Sequence, residues 1–271
     1  MTASRALAIG TLAAAALAAA GCAAQFGTRH GTASYTVAGA VTAVVLDGDQ
    51  DIEITGSDDP GVAVTERLSW SNGRNRPRPE HRVSGGTLHL SARCKGAVLG
   101  GSRCGVAYRV RLPRATALRV QGGDGDVTVT GMGGDLRLAS GSGAVRARDL
   151  RARSLYATAG DGDVRVSGQA TAAVLRTGSG SVVASALRAG TVTAHAGDGS
   201  LNLSFAAPPD GVDASTGSGQ VRIALPQAAY RVVTHTGSGH VDVDPAVHRD
   251  TASARTIAVR AGDGSIRIET A

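Results

Sequence analysis

Residues 118–131 read LRVQGGDGDVTVTG. Leu118 and Val120 alternate with polar neighbours, a Gly-Asp-Gly triplet follows, and the alternation resumes at Val127 and Val129. Apolar spacing of two marks a strand with one buried face, and the glycines between the two runs supply a bend. The pattern recurs to the end of the chain. Its triplets are Gly123-Asp124-Gly125, Gly141-Ser142-Gly143, Gly160-Asp161-Gly162, Gly178-Ser179-Gly180, Gly197-Asp198-Gly199, Gly217-Ser218-Gly219, Gly237-Ser238-Gly239 and Gly262-Asp263-Gly264. They start 18, 19, 18, 19, 20, 20 and 25 residues apart. So regular a period is the mark of stacked repeats. It predicts an all-β parallel β-helix, or solenoid, of about 18–20-residue coils.

Around each triplet the apolar positions hold: Leu155, Ala157, Val164 and Val166 around Gly160, Val192, Ala194, Leu201 and Leu203 around Gly197. The residues between them are mostly polar, as at Arg119, Arg137, Arg146, Arg165, Asn202, Arg222 and Arg267. Met132, Leu150 and Leu187 fall where corner fillers are needed. The glycines are expected to adopt positive φ. One repeat per coil is the preferred geometry; two repeats per larger coil and an antiparallel sandwich of hairpins are the rivals. The middle residues never place two aspartates in consecutive repeats. A serine between stacked carboxylates separates like charges and offers them a donor.

Upstream the pattern loosens. Residues 41–54 read as a degenerate first coil, with Gly48-Asp49-Gln50 in place of the triplet. Further strands are predicted at 62–64, 88–90 and 108–112, and residues 69–82, with Pro77 and Pro79, read as an exposed loop. The resulting division is a signal peptide over 1–21, a tether over 22–32, an irregular N-terminal β cap over 33–115 and the repeat solenoid over 116–271.

The N-terminus carries Arg5 and then an apolar stretch over 6–20, too short for a comfortable membrane span and suited to export. It ends Leu17-Ala-Ala-Ala-Gly21-Cys22, similar to a bacterial lipobox although Ala19 stands where leucine is usual. Cys22 is therefore expected to carry lipid on the outer face of the cell membrane, with a soluble secreted form as the alternative. Of the three cysteines, Cys94 and Cys104 then remain as a disulfide pair.

The segments over 108–113 and 118–131, followed by G-[DS]-G-x-[VLI] units to the C-terminus, resemble a bacterial family of "putative adhesins" of unknown function with β-strand repeats. The resemblance implies a β-solenoid and brings no defined ligand or catalytic residue with it.

Composition narrows the chemistry further. Aromatic residues make up 3% of the chain, Lys95 is its sole lysine and the net charge is +6. The basic residues form no run, which argues against nucleic acid; the modest positive excess suits a cell-wall polymer, an envelope protein or lipid head groups as partner, and equally a solvated surface with none. Asp124, Asp126, Asp161, Asp163 and Asp198 could suggest a calcium or carbohydrate-cleaving site, but each has a turn role, and the GGxGxDxUx calcium repeat is not met. His195 and His235 share an outward position two repeats apart. No GxSxG elbow or phosphate loop is present. The expectation is a non-catalytic adhesion, binding or scaffold module without metal or cofactor, a secreted carbohydrate-active enzyme being the alternative.

Overall fold

The structure is a computed structural model describing residues 28–71, 74–94 and 104–271. The expected signal, Cys22 and most of the expected tether lie outside the described residues. The first strand, Arg29–Val37, begins inside the segment expected as tether.

Twenty strands make up the regular structure of the described residues. Those preceding a triplet pair in parallel with one another, as Leu118, Leu136, Leu155, Ala173, Val192 and Val212 show in lateral register. Those following a triplet form a second parallel ladder through Val127, Val145, Val164, Val182, Leu201 and Val221. Each repeat thus adds one strand to each ladder and advances by one strand spacing, about 4.8 Å. This excludes both the two-repeat coil and the antiparallel sandwich for the repeat region. The result is an all-β fold of repeating strand units in stacked sheets. The paired apolar positions turn inward: Val164 and Val166 are buried while Arg165 between them is exposed.

The triplet glycines are required for a different reason from the one expected. Apart from Gly219 and Gly239, both at φ 149°, none of them has positive φ. Each instead lies against the backbone of the neighbouring turn. A Cβ on Gly162 would stand 2.2 Å from the Gly143 carbonyl oxygen, and one on Gly199 1.7 Å from that of Gly180. Left-handed backbone occurs at the opposite corner, where Gly131, Asp149, Gly168 and Ala186 occupy corresponding places with φ of 71°, 53°, 112° and 46°. Met132, Leu150 and Leu187 fill that corner, all buried.

Spatial order departs from chain order at both ends. Thr256–Ala261 inserts between Gly211–Thr216 and Arg231–Thr236, and Ile266–Thr270 between Val221–Leu225 and Val241–Val243. The last repeat of the chain is therefore the penultimate layer of the stack. At the other end Ala43–Gly48 and Ile52–Ser57 lie between the 117–130 unit and the strands Thr87–Arg93 and Cys104–Pro113.

The C-terminal insertion restores a strict alternation. In space the middle residues run Asp124, Ser142, Asp161, Ser179, Asp198, Ser218, Asp263, Ser238. Ser142, Ser179, Ser218 and Ser238 each donate from Oγ to the adjacent aspartate Oδ1, at 2.9–3.3 Å. The residue before the triplet alternates too. Ser140, Thr177, Thr216 and Thr236 donate to the carbonyls of Gly125, Gly162, Gly199 and Gly264. The aspartate layers have Gly122, Ala159, Ala196 and Ala261 at that position. Serine layers thus donate two side-chain hydrogen bonds to each aspartate layer. Chain order would put the two serine layers at 217 and 237 together, leaving Ser238 without its acceptor.

Antiparallel pairing is confined to residues 29–113. Arg29–Val37 pairs with Val62–Trp70, which pairs with Cys104–Pro113. Arg78–Ser84 forms a hairpin with Thr87–Arg93 through Gly85-Gly86, φ 56° and 72°, the geometry of a tight primed turn. This strand occupies part of the stretch expected as a loop. Its Pro79 is tolerated because the strand lies at an edge.

Val166→Arg forces an unpartnered charge into the core and is expected to destabilise by several kcal/mol. Arg165→Ser should stay within about 0.5 kcal/mol. Gly162→Val should be damaging through backbone overlap. Thermal melts compare the three, and equal losses from the first two would overturn the register.

The layer order predicts cross-links. Ser215 neighbours Arg260, which in turn neighbours His235. In a Cys22→Ala background, Ser215→Cys with Arg260→Cys should oxidise to a disulfide. Ser215→Cys with His235→Cys should not, since two layers exceed the roughly 7 Å Cα limit. The reverse outcome would show stacking in chain order.

Candidate binding surface

Cys94 and Cys104 are disulfide-bonded, with Cα atoms 5.9 Å apart. They close the connection between Thr87–Arg93 and Cys104–Pro113, where the regular repeats have their glycine triplet. The bridge staples the outermost cross-over of that end.

The triplet aspartates point along the turn edge and are engaged by the serines already described. Asp126 and Asp163, three residues into their repeats, accept the Ala144 and Ser181 N–H groups at 2.8 and 2.7 Å. Asp126 also meets Arg146, and Asp163 meets Arg165. Burial alone would raise the Asp126 carboxyl. The Ala144 N–H and the guanidinium groups of Arg146 and Arg165 outweigh burial and hold it below the usual carboxylate range. His195 is separated from His235 by Ser215 and Arg260, and its Nδ1 lies 3.0 Å from Ser215 Oγ. Among the described residues no three His, Cys, Asp or Glu side chains gather as metal ligands.

The outer faces of both ladders carry arginines, some matched with acids and some not. On the ladder following the triplets, Arg109, Arg146, Arg165 and Arg267 each meet a carboxylate: Glu53, Asp126, Asp163 and Glu269 respectively. On the ladder preceding them Arg260 meets Asp213, whereas Arg119, Arg137 and Arg176 are exposed and lie in no ion pair among the described residues, as is also true of Arg222 on the other ladder. Arg119 and Arg137 belong to one continuous row: Arg82 beside His89, then Val45, Arg119, Arg137 and Tyr156, one strand step at a time. Setting like charges side by side, as at Arg119 and Arg137, costs a few tenths to about 1 kcal/mol. Tyr156 is 39% exposed, the largest exposed aromatic on the repeats. At the N-terminal end of this face an open groove of about 850 Å³ is lined by Val45, Glu80, Arg82, His89 and Arg93 among others.

Two features escaped the sequence reading. Glu66 takes an inward position in the Val62–Leu68 alternation and is buried at 2% exposure, accepting the Tyr35 hydroxyl at 2.7 Å. Burial, followed by that carboxylate, pushes the Tyr35 hydroxyl well above its ordinary range. Tyr230 is buried, its hydroxyl donating to the Pro226 carbonyl at 2.8 Å.

The family model of Toastrack DUF4097 matches residues 41–271. Among solved structures, one from Bacteroides fragilis described as a "putative adhesin" is 18% identical. Its TM-score is 0.57, with 90% of this chain and 97% of that one covered. A "putative adhesin" from Parabacteroides merdae is 12% identical at TM-score 0.57, with 89% and 96% covered. At these identities the likeness is one of fold. No curated protein matches the sequence.

The lowered Asp126 carboxyl gives a pH signature. Its stabilisation is present above the unfolded carboxylate range, about pH 4, and is lost as pH falls through the lower folded value. Asp126→Asn should therefore lower Tm at pH 7, and the gap to wild type should close in strong acid. A gap independent of pH would assign the loss to packing.

Proposed function

The chain belongs to the Toastrack family, and on that premise we propose that it is a lipid-anchored, non-catalytic β-solenoid that binds or scaffolds components of the cell envelope. The observation that carries this is the long outer face preceding the triplets, where Arg119, Arg137 and Arg176 are exposed without a carboxylate partner among the described residues. A regular stack presents such a face rigidly and at fixed spacing, which suits adhesion to an extended partner. The carboxylates that could suggest catalysis are spread along turns or paired with arginines, not gathered around a cleft. The descriptions carried by the two solved relatives accord with a surface role. The lipobox-like run ending at Cys22 supplies the anchor, with the chain held outside the cytoplasm. Two or more acyl chains on that residue give stable membrane attachment, where one alone is marginal.

Detergent phase partitioning combined with co-sedimentation tests both halves. Exported wild type should enter the detergent phase and Cys22→Ala the aqueous phase. The soluble Cys22→Ala protein should still co-sediment with isolated cell-wall material. Wild type remaining aqueous removes the anchor; loss of co-sedimentation removes the binding role.

A further inference from the structure

We infer that the strip formed by Arg82, His89, Arg119, Arg137 and Tyr156 is a binding site for a linear anionic polymer whose sugar or polyol units carry phosphate or carboxylate groups. This deepens the envelope-binding role and rests on it. Three observations carry it.

The first is the pair Arg119 and Arg137, side by side with neither matched by an acid. On the other outer face Arg146 and Arg165 are also neighbours, but each has its carboxylate, and the unmatched Arg222 lies beside Arg267, which has one. Stacking places two cations in direct lateral register, a repulsion that a bound anion relieves. Guanidinium forks also match carboxylate and phosphate oxygens bidentately.

The second is shape. The strip is one side chain wide and runs across the strands over five ladder steps, from Arg82 to Tyr156. At about 4.8 Å per step it is roughly 24 Å long. A single small anion would occupy only the Arg119–Arg137 pair, while an extended chain can engage the whole row. The parallel row beside it contains Asp47, Gln121, Ala139 and Thr158. That uncharged border, broken by a single acid, suits a narrow chain better than a flat anionic membrane.

The third is Tyr156, directly next to Arg137 and exposed. Its ring offers an apolar platform with a polar rim, the surface on which a sugar or polyol unit packs. Beyond it the row continues with Val174 and Thr193 and reaches Asp213, where Arg260 is already engaged. The uncompensated stretch therefore has a defined end.

The test uses the full chain carrying Cys22→Ala, so that no acyl chain contributes. It is titrated at low salt with polygalacturonate, with polyglycerol phosphate, with neutral dextran, and with phosphatidylglycerol–phosphatidylcholine vesicles. Binding to at least one anionic polymer and not to dextran is expected, the two polymers separating carboxylate from phosphate as the natural source. Arg119→Ser with Arg137→Ser should weaken binding by about tenfold or more, and Tyr156→Ser by about threefold. Arg148→Ser with Arg222→Ser removes the same charge from outside the strip and should cost less than about threefold. An unchanged Tm for the strip variant verifies its fold. Equal losses from the two double variants, or binding to vesicles and to neither polymer, would overturn the site. Undiminished co-sedimentation of the strip variant with cell-wall material would also overturn it, while leaving the broader envelope role standing.

Discussion

The structure depends on how closely neighbouring turns approach. At each triplet the backbone of one layer occupies the space a side chain would need in the next, as the Gly162–Gly143 and Gly199–Gly180 contacts show. That approach lets turn amides bond directly to turn carbonyls, with Gly160 N–H on Gly141 O and Gly178 N–H on Gly160 O, both under 3 Å. With the turns in contact, the flanking strands are held at sheet spacing and in register. The inward valines and leucines then fall over one another layer after layer. Small side chains are enough for such a core because the layers are so close, which is how a chain with few aromatics buries its apolar surface.

On this frame the hydroxyl and carboxylate side chains act as a two-letter code. Backbone bonding is the same between any two layers and does not tell one partner from another. The side-chain bonds do, because serine layers donate and aspartate layers accept. A misplaced neighbour would leave hydroxyls or carboxylates of the turn without partners, each a modest cost. Repeated at several turns, such costs separate one layer order from its alternatives. The same device separates the aspartates of the eight triplets from one another.

Much of this was legible from local pattern. Leu118, Val120, Val127 and Val129 declare two inward strands and a bend from their spacing alone, and the repeat period declares stacking. What was not legible was relational. Nothing near Gly262 in the chain says that its unit lies beside Gly217, although the break in Asp/Ser alternation held the clue. Glycine permits positive φ at every triplet, yet only Gly219 and Gly239 adopt it there; it recurs at the opposite corner, where Asp149 and Ala186 adopt it despite their side chains. Pro79 suggested a loop and proved compatible with an edge strand. Arg119 and Arg137 read as ordinary solvated residues, because their lack of acidic partners emerges only when the ladders are assembled. The buried Glu66 broke the polarity rule for an inward position, and its satisfaction by Tyr35 depends on a strand 31 residues away.

The inserted C-terminal unit bears on how such a chain can mature. A polypeptide that emerges N-terminus first can add layers one after another up to residue 225. The layer that belongs next is then encoded by residues 256–270, which appear after the 231–243 segment that must finally cover it. Completion therefore waits until residues 256–270 have also emerged. Until then 231–243 lacks its proper seat, and the growing stack presents an open edge. Once seated, the 256–268 unit is clasped between two layers, and the 231–243 segment forms the rim beyond it. A force that peels the rim must therefore strip 231–243 before it can loosen the unit beneath.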